Sequence, residues 1–445
     1  MNDTPRQATR LEAIGGRFDP WLLGAMLALA SLGVVMVASA SIYQHGNPFY
    51  YLIRHGMFLV AGAGLAWWVT RTELKSIEAR NHLLLLGCVV LLLLVFVPGL
   101  GVSVKGAHRW INLGVSNFQV VEVVKVFFIV WLASYLVRFR DEVNATWAAM
   151  LKPLGVVVLL VALLLMQPDF GSSSLLLAIT AGMLVLGGVN MPRMFGPVLV
   201  GLPILAVIAI AEPYRMRRLT SFSDPWADPF GSGYQLTNAL MAIGRGEWSG
   251  IGLGGSVLKL NYLPEVHTDF IFSVIGEELG FVGVCLVVAL YALLVGRAFV
   301  IGLRCVEMRR HFAGYVAFGV ALWIGMQSFV SMGVNLGLLP TKGLTLPLIS
   351  SGGSSILMTC VAMGLLLRVS YELERTQRQV ALRGEALQTT PSGESRAPAD
   401  GASPQARSPA DAAPASPKPA PSLSETLRGT SRLRSRVEPT FERIA

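Results

Sequence analysis

Apolar runs of about 20 residues recur along most of this chain, and short polar or basic connectors separate them. An α-helix needs about 20 apolar residues to cross the hydrocarbon core of a bilayer. The pattern therefore predicts an all-α, polytopic membrane protein with ten transmembrane helices. The predicted spans lie near residues 20–41, 52–70, 81–98, 119–137, 153–167, 170–189, 196–211, 270–296, 314–338 and 348–370.

Basic residues fall mainly in alternate connectors, and this asymmetry orients the predicted bundle. Lys and Arg are enriched in the cytoplasmic loops of membrane proteins. The bias puts both termini in the cytoplasm and the single long loop, about residues 212–268, outside the cell. The connectors assigned to the cytoplasm contain Arg6, Arg10, Arg17, Arg71, Lys75, Arg80, Arg138, Arg140, Lys152, Arg193, Arg297, Arg304, Arg309 and Arg310.

Composition divides the chain into three segments. Residues 1–18 are polar and basic and predict a cytoplasmic lead. Residues 19–371 form the membrane domain, including the long loop. Residues 372–445 are rich in Pro, Ala, Ser and Arg. Such a segment cannot bury a core, so we expect a disordered cytoplasmic tail, with a short charged helix over Glu372–Arg383 as its only regular part.

The overall composition agrees with a membrane protein and excludes other classes. The chain is 53% hydrophobic and 14% charged, whereas a soluble protein has about 25% charged residues. Much of the basic charge behind the net charge of +9 lies in connectors and the tail. It indicates topology and contact with membrane lipid rather than nucleic-acid binding. The cysteines Cys88, Cys285, Cys305 and Cys360 have neither metal-ligand nor disulfide spacing.

The stretch NYLPEVHTDFIFSVIGEELG, residues 261–280, places Asp269 where the long loop becomes an apolar span. Asp269 lies above a small, partly polar helix face formed by Ser273 and the glycines that follow. Glu277 lies inside the same run, and ionisable groups at membrane depth usually face a bundle interior or a wet cavity. The simplest interpretation is that Asp269 caps the helix. A capping carboxylate stays ionised and can also accept a proton, so both roles remain open.

Candidate anion-binding groups lie in two external stretches. Lys105, Arg109 and Trp110 fall in the segment between the third and fourth spans. Arg and Lys bind phosphates and Trp anchors at membrane interfaces, so this segment is either a cradle for an anionic headgroup or an ordinary anchor. Arg215 and Arg218 follow the seventh span. Contact with a pyrophosphate and contact with anionic lipid would each explain them.

Further polar residues lie in or beside the spans. Glu122 and Lys125 share one face of the fourth span and are able to pair with each other in the bundle interior. Lys342 belongs to an irregular stretch that we expect to line the same cavity as Asp269. Glu265 and His267 flank Asp269, but without a His/Cys cluster they make no strong metal site. The sequence requires no cofactor and leaves a divalent cation open.

Six stretches carry a family resemblance: GAHRWINLG, QPDFGSS, SDPWADPFGSGYQ, AIGRGEW, YLPEVHTDFIFSVIGEELG and LLPTKGLTLPLISSGGSS. Over about residues 20–370 the chain resembles the SEDS family (shape, elongation, division and sporulation). Its Thr341-Lys342-Gly343 triplet favours the division branch over the elongation branch. The departures are Val120-Val121, Asn238 and Ser351, where the family usually has Pro-Ser, Gln and Tyr. They concern local packing.

The resemblance implies a peptidoglycan glycosyltransferase that polymerises lipid II into β-1,4-linked glycan at the outer face of the cytoplasmic (inner) membrane, at the division septum. The family's essential catalytic aspartate matches Asp269, and its Arg-Trp pair matches Arg109 and Trp110. The family works with a cognate class B penicillin-binding protein, a transpeptidase, alongside other divisome membrane proteins.

The expected mechanism makes Asp269 a general base that deprotonates the acceptor hydroxyl, with Lys105, Arg109 and either Arg215 or Arg218 on the pyrophosphate leaving group. Two other hypotheses remain. A lipid II flippase would use Glu122, Lys125, Glu277 and Glu278 as a polar pathway. A scaffold that recruits the transpeptidase would not need Asp269.

Overall fold

Fourteen helices and three short strands make up the part of the chain described in a computed structural model, which covers residues 15–41, 49–104, 106–112, 114, 117–257, 259 and 266–388. The strands are β1 (Gly101–Val104), β2 (Ala107–Asn112) and β3 (Asn117–Gln119). The helices are α1 (Pro20–Ser41), α2 (Tyr50–Arg71), α3 (Leu74–Ala79), α4 (Asn81–Leu94), α5 (Val120–Arg138), α6 (Arg140–Ala145), α7 (Trp147–Met166), α8 (Phe170–Leu186), α9 (Met191–Ala211), α10 (Pro213–Ser223), α11 (Tyr234–Arg245), α12 (Ile271–Glu307), α13 (His311–Asn335) and α14 (Gly353–Gln388).

Ten of these helices occupy the places of the ten predicted spans. Within the described residues, eight helices are long and apolar enough to cross a membrane, namely α1, α2, α5, α7, α9, α12, α13 and α14. Helices α4 and α8 are apolar but shorter. The predicted fold class, an all-α polytopic membrane protein, is confirmed. The placement of both termini in the cytoplasm stays a prediction.

The last helix continues beyond the predicted end of the membrane domain at residue 371. Its apolar part gives way to charged residues, but ion pairs one turn apart sustain the helix. Arg368 pairs with Glu372 at 2.9 Å and Arg378 pairs with Glu374 at 2.9 Å. Residues 372–388 of the predicted tail are therefore helical. The rest of that tail and residues 1–14 of the predicted lead lie outside the described residues.

Helix α12 is interrupted at Gly280, whose φ of 65° and ψ of −162° are not helical. A side chain there would clash, because a Cβ atom would lie 2.3 Å from the Gly250 nitrogen. The long loop satisfies the interrupted backbone: the Phe281 N–H donates to the Glu247 carbonyl at 2.9 Å, and the Ile251 N–H donates to the Glu277 carbonyl at 3.1 Å. Irregular backbone inside a span is stable when protein surrounds it. The kink thus docks the long loop on α12.

The segment between α4 and α5, predicted as a loop, is a three-stranded antiparallel sheet in the order β1-β2-β3. In the β1–β2 hairpin Val102 pairs with Trp110, and in the β2–β3 pair Trp110 faces Gln119. Gly106, with φ of 80°, lies in the turn between β1 and β2 and adopts a backbone conformation that favours glycine. The sheet gives Arg109 and Trp110 a fixed backbone. We call the end of the bundle that carries this sheet the sheet end.

The opposite end of the bundle is tied together by Asp19, which precedes α1. Its carboxylate accepts hydrogen bonds from Arg297 of α12 and, at 2.8 Å, from the Leu22 N–H. The Asp19 N–H donates to Ser370 Oγ of α14 at 3.3 Å. Burial raises the pKa of Asp19, but the hydrogen bond and charge of Arg297 together with the helix amides outweigh it, and the net pKa is lowered. Asp19 therefore joins the start of α1 to α12 through an ion pair and to α14 through a backbone hydrogen bond.

Candidate active site

A cavity of about 1000 Å³ opens at the sheet end of the bundle. Its wall is built from the first turns of α2, the β-sheet, the α7–α8 turn, α10 and the two irregular segments before α12 and α14. Six of the residues predicted for the site line it, namely Arg109, Trp110, Arg218, His267, Asp269 and Lys342. Residues far apart in sequence thus meet in one place.

Asp269 lies in a turn that a neighbouring helix holds. Helix α12 begins at Ile271 with Phe270 at its N-cap, so the predicted capping position of Asp269 is off by one residue. Asn335, at the end of α13, serves the helix start instead. Its Oδ1 accepts hydrogen bonds from the Ser273 N–H at 3.1 Å and the Ser273 hydroxyl at 2.8 Å. Its Nδ2 donates to the Asp269 carbonyl at 2.9 Å. One buried amide therefore caps α12 and fixes the Asp269 backbone.

The same turn is held from its other side by the irregular segment 340–352, which we call the cavity loop. Ser350 Oγ donates to the Thr268 carbonyl at 2.6 Å, and the Ser351 N–H donates to the His267 carbonyl at 2.9 Å. Gly343 lies directly against the Asp269 carboxylate, since a Cβ atom on Gly343 would be 3.0 Å from Asp269 Oδ2. The carboxylate position is therefore set by backbone on two sides.

Arg109 connects the β-sheet to the α7–α8 turn. Its Nε donates to the Gln167 carbonyl at 3.1 Å, its Nη2 donates to the Pro168 carbonyl, and its Nη1 is 3.9 Å from Asp169 Oδ1. Asp169 in turn caps α8, accepting from the Ser172 N–H at 3.2 Å. The sequence interpretation did not single out Asp169 as a site residue. The sequence did contain a signal for it, because a carboxylate between two apolar runs is expected to have a partner or a function.

Three further cationic side chains line the cavity beside Arg109. Lys342 Nζ lies 4.0 Å from the centroid of the Phe170 ring. Arg218 Nη1 donates to the Thr341 carbonyl at 2.9 Å, which joins α10 to the cavity loop. Arg54 on α2 also lines the cavity, and the sequence analysis did not single it out. Four cations around one cavity suit an anionic ligand.

The remaining predicted site residues do not all come to the cavity. Lys105 and Glu265 lie outside the described residues, as does the side chain of Arg215. Among the described residues, no group of three His, Cys, Asp or Glu side chains is placed to hold a metal ion.

Glu122 and Lys125 lie in the packed interior of the bundle, where they pair with each other. Lys125 Nζ donates to Glu122 Oε1 at 2.9 Å and to Gln327 Oε1 at 2.8 Å. Gln327 Nε2 then donates to the Thr345 carbonyl of the cavity loop at 2.8 Å. A buried charge is stable only when it is paired and hydrogen-bonded, and here that pairing supports the cavity loop from within the bundle.

Glu277 and Glu278 of α12 bind the long loop to that helix. Glu277 pairs with Arg245 at 3.2 Å and accepts from the Ser256 hydroxyl at 2.5 Å. Glu278 pairs with Lys259 at 3.1 Å, and both side chains of that pair are at most 1% exposed. The acids beneath Asp269 therefore position the long loop.

We expect Lys259→Met to destabilise the folded protein strongly. Removing one partner of a buried pair leaves the Glu278 charge uncompensated, at a cost of about 3–5 kcal/mol. The melting temperature in detergent measures this cost. Arg378→Ala is the matched control, because it breaks a pair that is about one-third exposed, and exposed pairs contribute little. Equal melting temperatures for the two variants would contradict the structural role of the buried pair.

The fold and the cavity define a polytopic helical membrane protein with a cationic, carboxylate-bearing site at one end of its bundle. The family model of the FtsW, RodA and SpoVE proteins, described as cell cycle proteins, matches residues 20–375. The chain belongs to this family, as the resemblance predicted.

Relatives and solved structures agree with the family match. The chain is 67% identical over its full length to a probable peptidoglycan glycosyltransferase FtsW of Xanthomonas oryzae pv. oryzae, covering 94% of that protein. It is 50% identical to one of Thioalkalivibrio sulfidiphilus, covering 80% of this chain and 90% of the relative. A chain from a peptidoglycan synthase complex matches with a TM-score of 0.67 and 30% identity, over 80% of this chain and 98% of that one. The rod-shape-determining protein RodA of Thermus thermophilus matches with a TM-score of 0.58 and 29% identity, over 79% and 96% of the two chains.

Proposed function

We propose that the protein is a peptidoglycan glycosyltransferase that polymerises lipid II into β-1,4-linked glycan strands, in the inner membrane at the division septum. The enzyme class is the one its FtsW relatives are named for. The observation that carries the assignment of the site is Asp269, which shares a cavity at the start of a membrane span with four cationic side chains. A substrate made of sugar, pyrophosphate and a lipid chain needs this combination.

In the proposed step, the Asp269 carboxylate takes the proton of the 4-hydroxyl on the acceptor's terminal sugar. The freed oxygen attacks the anomeric carbon of the donor, and a new C–O bond forms as the bond to the pyrophosphate oxygen breaks. Undecaprenyl pyrophosphate leaves with the electron pair, and the configuration at the anomeric carbon inverts. A positioned general base typically accelerates such a step by about 10²–10⁴-fold.

The leaving group develops negative charge, and the cationic wall of the cavity would stabilise it. Arg109, Arg218 and Lys342 are each anchored by contacts to backbone or to an aromatic ring. Side chains held in place before the reaction do not need to reorganise during it, which is why preorganised charges are effective in catalysis. The lipid chain would run down between helices into the bilayer.

A class B penicillin-binding protein is the proposed partner. The support is the similarity to a chain from a complex described as coordinating polymerization and crosslinking by a peptidoglycan synthase. A transpeptidase consumes the glycan strands that this enzyme makes, so the two activities belong together. The other divisome membrane proteins remain part of the same proposal.

The flippase hypothesis loses its main support. It relied on Glu122, Lys125, Glu277 and Glu278 as a polar pathway, but these four side chains are engaged in ion pairs and hydrogen bonds that support the cavity loop and the long loop. The proposed function is tested by incubating the purified protein with lipid II, with and without the transpeptidase, and separating the products by size. Polymer is expected. Translocation of lipid II in liposomes without any polymer would overturn the proposal.

Gly343→Ala is expected to lower the polymerisation rate at least tenfold without unfolding the protein. The added methyl group would meet the Asp269 carboxylate at 3.0 Å, and small misplacements of a reacting group have large effects on rate. The control is Gly244→Ala in α11, where a Cβ atom meets nothing within 4 Å. Turnover of both variants is measured with lipid II. Wild-type turnover by Gly343→Ala would mean that the carboxylate does not need this geometry.

A further inference from the structure

One face of α2 forms part of the cavity wall, and it carries a histidine that the proposed mechanism does not use. Tyr51, Arg54, His55 and Phe58 all line the cavity, and their spacing places them on the same side of a helix. The His55 side chain is buried, with 1% of the residue exposed. Neither its Nδ1 nor its Nε2 has a hydrogen-bond partner among the described residues.

A buried imidazole without partners is unusual. Leaving a buried donor or acceptor unsatisfied is costly, and most buried polar groups in proteins are therefore hydrogen-bonded. His55 lines the cavity, so a ligand in the cavity is able to form a hydrogen bond with it. The same face of α2 also meets the turn before Asp269, since Tyr51, one helical turn before His55, contacts the ring of His267 with 4.0 Å between centroids. His267 lies two residues before Asp269. The imidazole is thus at the wall of the reaction site.

The surroundings of His55 indicate which kind of ligand would accept a hydrogen bond from its ring. Arg54 is the adjacent residue on the same wall, and its guanidinium lies 5.9 Å from the centroid of the Phe58 ring. Arg109, Arg218 and Lys342 also line the cavity. His55 is six residues into a membrane-spanning helix that begins at the sheet end. A lipid-linked sugar carries its phosphates between the sugar and the hydrocarbon chain, so a residue that binds them is expected near the start of a span.

We propose that His55 is a substrate-binding residue that donates a ring N–H hydrogen bond to a phosphate oxygen of the lipid-linked pyrophosphate. This inference rests on the proposed function, since it takes the substrate from it. In the absence of substrate, the ring is a preformed donor in a shielded site. Hydrogen bonds to a charged acceptor are stronger than those between neutral groups.

The first test compares the binding of undecaprenyl pyrophosphate to wild type, His55→Phe and His55→Gln in detergent. His55→Phe keeps the ring volume and removes both nitrogens, and we expect it to weaken binding about tenfold. His55→Gln keeps a donor and should lose less. Binding of undecaprenol, which has no phosphate, should be the same for all three proteins. The control is His82→Phe, because His82 is exposed at the start of α4.

Equal affinities of wild type and His55→Phe for undecaprenyl pyrophosphate would overturn the inference and leave a buried water as the partner of His55. If His55→Phe does not fold, the wild type still provides a test. Imidazole ¹⁵N resonances are recorded with and without undecaprenyl pyrophosphate, and the His55 signals are assigned by their loss in His55→Gln. A shift on adding the pyrophosphate supports the inference, and unchanged signals overturn it.

Two arms separate this inference from its alternatives. A shift of the His55 signals with phosphatidylglycerol vesicles alone would mean that a membrane headgroup is the ligand, and would overturn the substrate assignment. Polymerisation by wild type with unchanged pyrophosphate binding in His55→Phe would defeat this inference and leave the proposed function intact. If pyrophosphate binding depends on His55 but the wild type makes no polymer, the binding role of His55 would stand and the proposed function would fail.

Discussion

Asp269→Asn is expected to reduce the polymerisation of lipid II by about 10²–10⁴-fold, because the amide keeps the shape of the side chain but cannot accept the proton of the attacking hydroxyl. The protein should still fold, since the Asp269 carbonyl, rather than its carboxylate, receives the Asn335 amide. The measurement is the initial rate of glycan formation by the detergent-solubilised variant together with the transpeptidase. Melting temperature and co-purification of the transpeptidase verify that fold and complex are intact.

Glu212→Gln is the matched control for this prediction. Glu212 also lines the cavity, so the same change of carboxylate to amide occurs in the wall of the same cavity. We expect a rate within a few-fold of wild type. A loss in Glu212→Gln as large as in Asp269→Asn would show that the cavity needs negative charge in general rather than a base at Asp269. Wild-type rates in Asp269→Asn would leave the scaffold hypothesis as the better one.

Hydrophobic periodicity predicted the membrane helices well, because the bilayer requires long apolar runs and only a few backbone forms are stable within it. The predictions failed where the backbone conformation depends on hydrogen bonds that hydrophobic periodicity does not show. The segment from Gly101 to Gln119 is too short and polar to show strand alternation clearly, yet it forms a sheet. The kink at Gly280 depends on backbone hydrogen bonds that the Glu247 and Trp248 carbonyls accept from the N–H groups just after it, and these carbonyls belong to the long loop, far from Gly280 in sequence.

The site was predictable in part, for a related reason. Asp269, Arg109 and Lys342 carry charge at the ends of apolar runs, and a membrane makes such residues conspicuous. Glu122 and Glu277 carry the same signal but serve packing instead. Sequence alone shows that a charge at membrane depth needs a partner, but not whether that partner is substrate or protein. His55 gave no signal, because a single histidine in an apolar run is more often a packed residue than a ligand.

Asn335→Ala is expected to lower the turnover number for lipid II by about 10–100-fold with little change in KM. Asn335 is fully buried. Its loss removes the acceptor of the Ser273 hydroxyl and the amide that donates to the Asp269 carbonyl. The turn that carries Asp269, the proposed general base, should then shift, and a displacement of about 1 Å can cost about 10²-fold in rate. Substrate affinity should persist, since the cationic wall is anchored elsewhere.

Two further variants separate positioning from simple destabilisation. Asn335→Asp keeps the oxygen that accepts from Ser273 but cannot donate to the Asp269 carbonyl, so it should retain the cap and still lose turnover. Ser331→Ala is the control, because Ser331 lies one turn earlier on α13 and its hydroxyl has no partner among the described residues; we expect wild-type turnover. If kcat and kcat/KM both fall in proportion to the loss of melting temperature across all three variants, the result would contradict a positioning role. A fall in turnover alone, at unchanged melting temperature in Asn335→Asp, would mean that the hydrogen bond from the Asn335 amide to the Asp269 carbonyl sets the position of the proposed general base.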